Sequence, residues 1–297
     1  MRNKAISSLM AGIALLSLIG GMVGCATSAV RVATTTSLYD TGLWSYLEPK
    51  FEKKYGVELD IIYTGTGKAL EYGRRGDVDV IVIHSKARAE QFVADGYGVE
   101  RVPFAYNYFL IVGPETDQAG IKGLSPEEAF KKLMETGNGS FVSRGDDSGT
   151  HEKEKAIWEV VGFDYETIQQ AGEWYIEAGI GMGPALMMAS EKQAYTLTDM
   201  GTFLAYKGKI DLVPIVGEGD ILLNVYSVIA ISPEKHQKTN AEMAENLINF
   251  LASPEIQELI GSYGVEEYGM QLFIPCAGAE PESYLAAANI LDGAESN

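Results

Sequence analysis

This chain is short of cysteine, of histidine and of positive charge. Its two cysteines are Cys25 and Cys276. Cys25 ends an N-terminal apolar stretch, so no intramolecular disulfide is available once it is acylated, and the fold must rest on packing alone. The three histidines, His84, His151 and His236, are too scattered to suggest metal-ligand spacing. His151-Glu152 lacks a second histidine four residues after the first, so there is no zinc-protease helix. No Gly-x-Ser-x-Gly elbow occurs. Gly65-Thr66-Gly67-Lys68 hints at a P-loop, but Ile62 stands where the first glycine belongs and Ala69 where a hydroxyl residue must follow the lysine. These absences weigh against an enzyme. Lys and Arg number 23 against 41 Asp and Glu, a formal net charge of −18. Nucleic acid and anionic membrane surfaces are therefore poor partners.

At the N-terminus, Arg2 and Lys4 precede an apolar stretch, Ala5 to Val23, broken only by small residues and serine. That order marks an export signal over residues 1–24, with a retained membrane anchor as the competing reading. Met22-Val23-Gly24-Cys25 resembles a lipobox, in which Cys25 is lipidated and becomes the new terminus; Met22 stands where leucine is usual. Cleavage there leaves 273 of the 297 residues and a charge of about −20. That length is too great for one comfortable core and suits two lobes. An anion would have to be held by local dipoles and a few cations, against a global field that salt screens over about 8 Å.

Past Val30, short apolar runs alternate with amphipathic stretches. The spacing predicts strands over 31–36, 57–63 and 78–83 and helices over 42–54, 68–74 and 86–94. That order implies a largely parallel α/β sheet with helices on both faces. The run 106–112, closed by Gly113-Pro114, reads as a strand leaving the first lobe, and 220–231 as the strand that returns. Between them lie predicted helices over 125–135, 150–161 and 184–191, with strands near Phe141, over 174–176 and over 194–197. Helices over 241–251 and 255–262 close the chain, and the segment after Ala277 is expected to pack loosely. Lobe one would comprise 30–110 plus 232–297, and lobe two 111–231. Two α/β lobes joined by two crossing strands describe a cleft-type solute-binding protein, with its ligand beyond the carboxyl ends of the strands.

Four loops at those ends share one chemistry. They are Thr34-Thr35-Thr36-Ser37 with Asp40-Thr41-Gly42 after it, Thr64-Gly65-Thr66-Gly67, the run from Ser143 to Thr150, and Thr196-Leu197-Thr198-Asp199 with Gly201-Thr202 after it. Hydroxyls and glycine-exposed N–H groups at helix starts suit a small oxyanion. In the third loop, Arg144 lies four residues before Ser148, Gly149 and Thr150, and a guanidinium there would add a charge-assisted contact. A single such loop is ordinary helix capping, but four of them in one chain are harder to dismiss.

The blocks Thr34-Thr35-Thr36-Ser37, Asp95-Gly96-Tyr97-Gly98, Phe109 to Pro114, Ser143 to Glu152, Gly181-Met182-Gly183 and Tyr195 to Asp199 resemble the Tup-type tungstate-binding proteins of bacterial ABC importers. The likeness runs from about Val32 to Cys276. It implies a type II periplasmic-binding-protein fold with two crossover strands and an interlobe cleft. It further implies an exported monomeric receptor without cofactor or metal, which captures tungstate or molybdate and delivers it to a membrane permease. By that resemblance Thr35, Thr36 and Ser37 offer hydroxyls and N–H groups from lobe one, and Thr66 and Gly67 form its second wall. Arg144 supplies the charged contact, Ser148, Gly149 and Thr150 the lobe-two donors, and Thr198 closes the ring. Asp146 orients Arg144 instead of touching a dianion, since an ionised carboxylate only accepts hydrogen bonds. The family usually has aspartate where Tyr108 stands and arginine where Met200 stands, which suggests a lost ion pair. Other oxyanions, phosphate included, and a secreted hydrolase with a similar cleft stay open as alternatives.

Overall fold

The computed structural model describes residues 29–279; the export signal and Cys25 lie outside them. In chain order the first part contains β1 (Val30–Thr35), α1 (Thr36–Asp40), α2 (Leu43–Tyr55), β2 (Leu59–Thr64), α3 (Thr66–Arg75), β3 (Val80–Ile83) and α4 (Lys86–Ala94). The long strand β4 (Gly98–Gly113) leads to α5 (Pro126–Thr136), β5 (Phe141–Ser143), α6 (Gly149–Val160), α7 (Tyr165–Gln169) and β6 (Tyr175–Glu177). Then come α8 (Met182–Lys192), β7 (Tyr195–Asp199), α9 (Met200–Ala205), β8 (Val213–Val216) and β9 (Leu223–Ile231). The chain closes with α10 (Ala241–Ala252), α11 (Pro254–Ser262), α12 (Val265–Tyr268) and β10 (Ile274–Pro275). None of the described helices is long and apolar enough to cross a membrane.

The strands run in the order β2-β1-β3-β9-β4-β7-β5-β6, with β8 and β10 pairing to β4 off that path. Within each half the pairing is parallel, β1 with β2 and β3, and β5 with β6 and β7. Where the halves join it is antiparallel, β9 with β3 and β4, and β4 with β7. The expected largely parallel sheet is therefore mixed. A chain that crosses to a second α/β unit and returns enters the first sheet head-to-tail, and that reversal is what a local strand pattern cannot show.

Strand β4 changes partner between Tyr108, opposite Leu223 of β9, and Phe109, opposite Asp199 of β7. It begins eight residues earlier than its apolar run suggests. Glu100, Arg101 and Pro103 disguise its start, and Pro103 sits beside a register shift, where a missing N–H costs little. Strand β9 pairs over its whole length with β3 and the first part of β4.

The local signals that did work are physical ones. All four residues of β3, Val-Ile-Val-Ile, are buried, as expected of a strand covered on both faces. Helix α2 buries Leu43, Trp44, Leu47 and Phe51 along one stripe and stops at Gly56, whose φ of 67° suits a residue without Cβ. Helix α5 starts at a capping box formed by Ser125 and Glu128. One apolar cluster holds Phe130, Phe141, Trp158 and Tyr195 in the second half, and another holds Leu70, Ile81 and Phe92 beneath α3 and α4.

Cys276 and Ala277, expected at the edge of a loose tail, are tied down. Cys276 N donates to Phe104 O at 3.2 Å, and Ala277 N to Gln257 Oε1 at 2.7 Å. The acidic stretch beyond lies outside the described residues.

Candidate oxyanion site

Strand β1 runs straight into α1, so Thr35, Thr36 and Ser37 sit at a strand carboxyl end with no intervening loop. Thr34 beside them is structural: its Oγ1 accepts the Trp44 indole N–H at 2.9 Å. Ser37 Oγ donates to Thr35 Oγ1 at 3.3 Å and lies 3.3 Å from His84 Nε2. From the next strand end, Gly65 caps α3 without a side chain, and Thr66 and Gly67 form its first turn. Thr66 is fully buried, yet its Oγ1 has no hydrogen-bond partner.

The other wall comes from the β5–α6 junction. Arg144 follows β5 and is 2% exposed. Its Nη2 donates to Asp146 Oδ2 at 2.5 Å and to Thr36 Oγ1 at 3.2 Å, and its Nη1 to Thr150 Oγ1 at 3.4 Å, while its Nε has no partner. Ser148 caps α6 by accepting the His151 N–H at 3.2 Å. A Cβ on Gly149 would stand 2.5 Å from the His84 ring, so only glycine lets the two loops come this close. A Cβ on Gly65 would stand 3.5 Å from Asp146 O, an ordinary contact that nonetheless shows how near the first wall lies to the second.

Nine of the ten candidate residues thus lie on two facing walls, with Arg144 bridging them through Thr36. Thr198 is fully buried on β7 and donates to Asp199 O at 3.2 Å. Among the described residues no hydrogen bond joins it to the other nine.

Three neighbours lie outside the ten candidates, although two of them, Asp40 and Asp199, stand in the loops named from the sequence. His84 directly follows β3, the same position by which the four loops were chosen, but its lone ring gave no anion-binding signature. Burial and Arg144 hold its pKa down to about 3, so it faces Ser37 as a neutral imidazole. Asp40, at the end of α1, is pushed up to about 6, first by burial and then by Asp199, against the pull of Arg144. Asp199 is itself raised by burial, although Thr202 donates to both its oxygens, at 2.9 and 2.6 Å. Beneath these, Asn224 Nδ2 donates to Asn107 Oδ1 at 2.8 Å and to the Tyr226 hydroxyl at 2.9 Å, linking the two crossing strands.

Tyr108 and Met200 are both buried, but in separate apolar clusters, Tyr108 with Tyr106 and Met200 in the main core. They nevertheless directly flank Phe109 and Asp199, which pair across β4 and β7. Among the described residues no group of three or more His, Cys, Asp or Glu side chains is placed to hold a metal ion.

The arrangement is a buried guanidinium and a ring of hydroxyl and backbone donors between two α/β walls that share crossing strands. Residues 24–255 match the PBP superfamily domain. The chain belongs to that superfamily. It is 42% identical to the tungstate-binding protein TupA of Peptoclostridium acidaminophilum, over 92% of this chain and 99% of that protein. The solved tungstate ABC transporter structure from Geobacter sulfurreducens is 45% identical, covering 80% of this chain and 99% of that one, with a TM-score of 0.71. TupA from Desulfovibrio alaskensis G20 is 38% identical, covering 84% and 99%, also with a TM-score of 0.71. Within the superfamily the chain belongs to the TupA group. It has the two-lobed periplasmic-binding-protein fold, and its family consists of exported solute-binding proteins, not enzymes. The hydrolase alternative falls with that assignment.

Proposed function

We propose that this protein is the extracytoplasmic receptor of an ABC importer, that it captures tungstate between its lobes, and that it delivers the anion to the permease. One observation carries the reading. The facing walls offer donors, among them the unpartnered Arg144 Nε and Thr66 Oγ1, while Asp146 and Asp199 next to them already have both oxygens engaged. An all-donor pocket suits a fully deprotonated dianion such as tungstate or molybdate. Hydrogen phosphate carries a proton and needs a free carboxylate acceptor, whereas Asp146 and Asp199 are already engaged within their own loops.

The ten candidate residues are the proposed contacts, with Arg144 central. Lobe one comprises 30–110 and the chain from 232 onward, and lobe two 111–231. The pairing of β9 supports moving 223–231 into lobe one. The mature protein is a monomer tethered through a lipidated Cys25.

Calorimetric titration of the mature protein with tungstate, molybdate, sulfate and phosphate, at one pH and salt, tests this. Tight binding of the first two alone is expected. Phosphate binding at comparable affinity would overturn the donor-only pocket, and no binding of any anion would reduce the four loops to helix caps.

A further inference from the structure

A second set of contacts joins the same two walls beside the anion site. Helix α4 carries Arg88, and the loop before α6 carries Asp147. Arg88 Nη1 donates to Asp147 Oδ1 at 3.2 Å and Nη2 to Asp147 Oδ2 at 3.3 Å, a two-pronged match of guanidinium to carboxylate. Nη1 also reaches Asp147 O at 3.5 Å and lies 3.8 Å from Glu152 Oε2. One turn earlier, Ser85 Oγ donates to Glu152 Oε1 at 2.7 Å.

Two features show that the loop is shaped for this contact. Asp147 has φ of 55°, a left-handed conformation that aspartate tolerates better than most residues, and its own N–H is taken by His151 Nδ1 at 3.1 Å. Gly67 lies directly beneath: a Cβ there would come within 2.2 Å of Asp147 Oδ2 and 3.1 Å of Arg88 Nη2. Gly67 is thus the seat of the carboxylate, whatever its N–H does toward the anion.

We propose that Arg88 and Asp147, seated on Gly67, form an interlobe latch: the pair positions the closed lobes and sets how long the anion stays bound, without itself touching it. The inference rests on the receptor reading above. Arg88 and Asp147 lie on opposite walls, so their pairing exists only while the walls are together. An exposed pair contributes little to stability in general, and Asp147 is 64% exposed. A contact made only in the closed state nevertheless acts in full on the rate of opening, and hence on dissociation.

Stopped-flow association and dissociation of tungstate with the mature protein tests the latch, using Arg88→Gln, Arg88→Lys, Asp147→Asn, Gly67→Ala and the double variant Arg88→Gln/Asp147→Asn. Arg88→Gln and Asp147→Asn are expected to raise koff about two- to fivefold, the range an exposed pair supports, and to leave kon within twofold. The double variant should be no worse than either single one, and Arg88→Lys should recover part of the loss. Raising salt should bring wild type toward Arg88→Gln, because a screened pair no longer holds. Gly67→Ala, which displaces the carboxylate, should also raise koff. Unchanged koff in both single variants at low salt, or additive losses in the double variant, would overturn the latch. Failure of wild type to bind any of the four anions would instead remove the receptor reading beneath it.

Discussion

Asp146 Oδ2 accepts from Arg144 Nη2 at 2.5 Å, while its Oδ1 accepts the Ser148 N–H at 3.3 Å. The carboxylate is saturated by its own loop and aims the guanidinium across the cleft at Thr36. One carboxylate balances this almost wholly buried guanidinium locally, which leaves its remaining donors for a ligand. Removing either partner therefore has different consequences.

Arg144→Ala should weaken tungstate binding by about 1.5–3 kcal/mol, roughly 10- to 150-fold in Kd, since it deletes a charge-assisted donor and leaves Asp146 beside the anion. Asp146→Asn should cost less, because the amide can still accept from Arg144 through its oxygen. Calorimetric Kd values decide this. An unchanged affinity in Arg144→Ala would take that residue out of the site.

Thr66→Val isolates a single hydroxyl. The side chain is fully buried and its Oγ1 has no partner, so an isosteric valine removes nothing the fold uses. Urea midpoints should be unchanged or slightly higher, while tungstate affinity falls by about 0.5–1.5 kcal/mol. Lost stability with intact affinity would make the hydroxyl structural.

Glu154 gives a pH signature behind the site. It is buried on α6 and accepts from Tyr175 at 2.6 Å, Ser143 at 2.7 Å and Trp158 at 3.2 Å, yet burial raises its pKa to about 7. Between its ordinary value of 4.5 and about 7 the native state holds a proton that the unfolded chain has lost. Its stabilising contribution is therefore complete below 4.5 and disappears as pH rises through 7. His84 acts with the opposite sign: its pKa is lowered to about 3, so it costs stability as pH falls below its ordinary 6.5. The difference between wild type and Glu154→Gln, from denaturant midpoints at several pH values, isolates the first effect. The stability of wild type relative to the variant should decline from pH 4.5 to 7 and level off above. Parallel curves would mean that Glu154 titrates normally.

Most elements were legible because their signals are local. The stripe Leu43, Trp44, Leu47 and Phe51, the apolar run of β3 and the cap at Ser125 need only a few neighbouring residues to be read. Short α1, α7 and α9 were missed because each is barely one turn or two, held by tertiary contacts and not by helical periodicity. Strand β8, with Pro214 inside it, was missed for the same reason as the start of β4: proline hides a strand wherever the sheet does not need its N–H.

By itself, the sequence determined the chemistry available. It set which loops carry hydroxyls and glycines at strand ends, where the one cation among them stands, and that two cysteines allow at most one disulfide. Only the tertiary structure decided which groups share an environment. His84 meets Ser37, Asp40 feels Asp199, and Arg88 reaches Asp147, pairs separated by 47, 159 and 59 positions. Burial and Coulomb interaction depend on distance in space, and the crossing strands bring together what the chain keeps far apart.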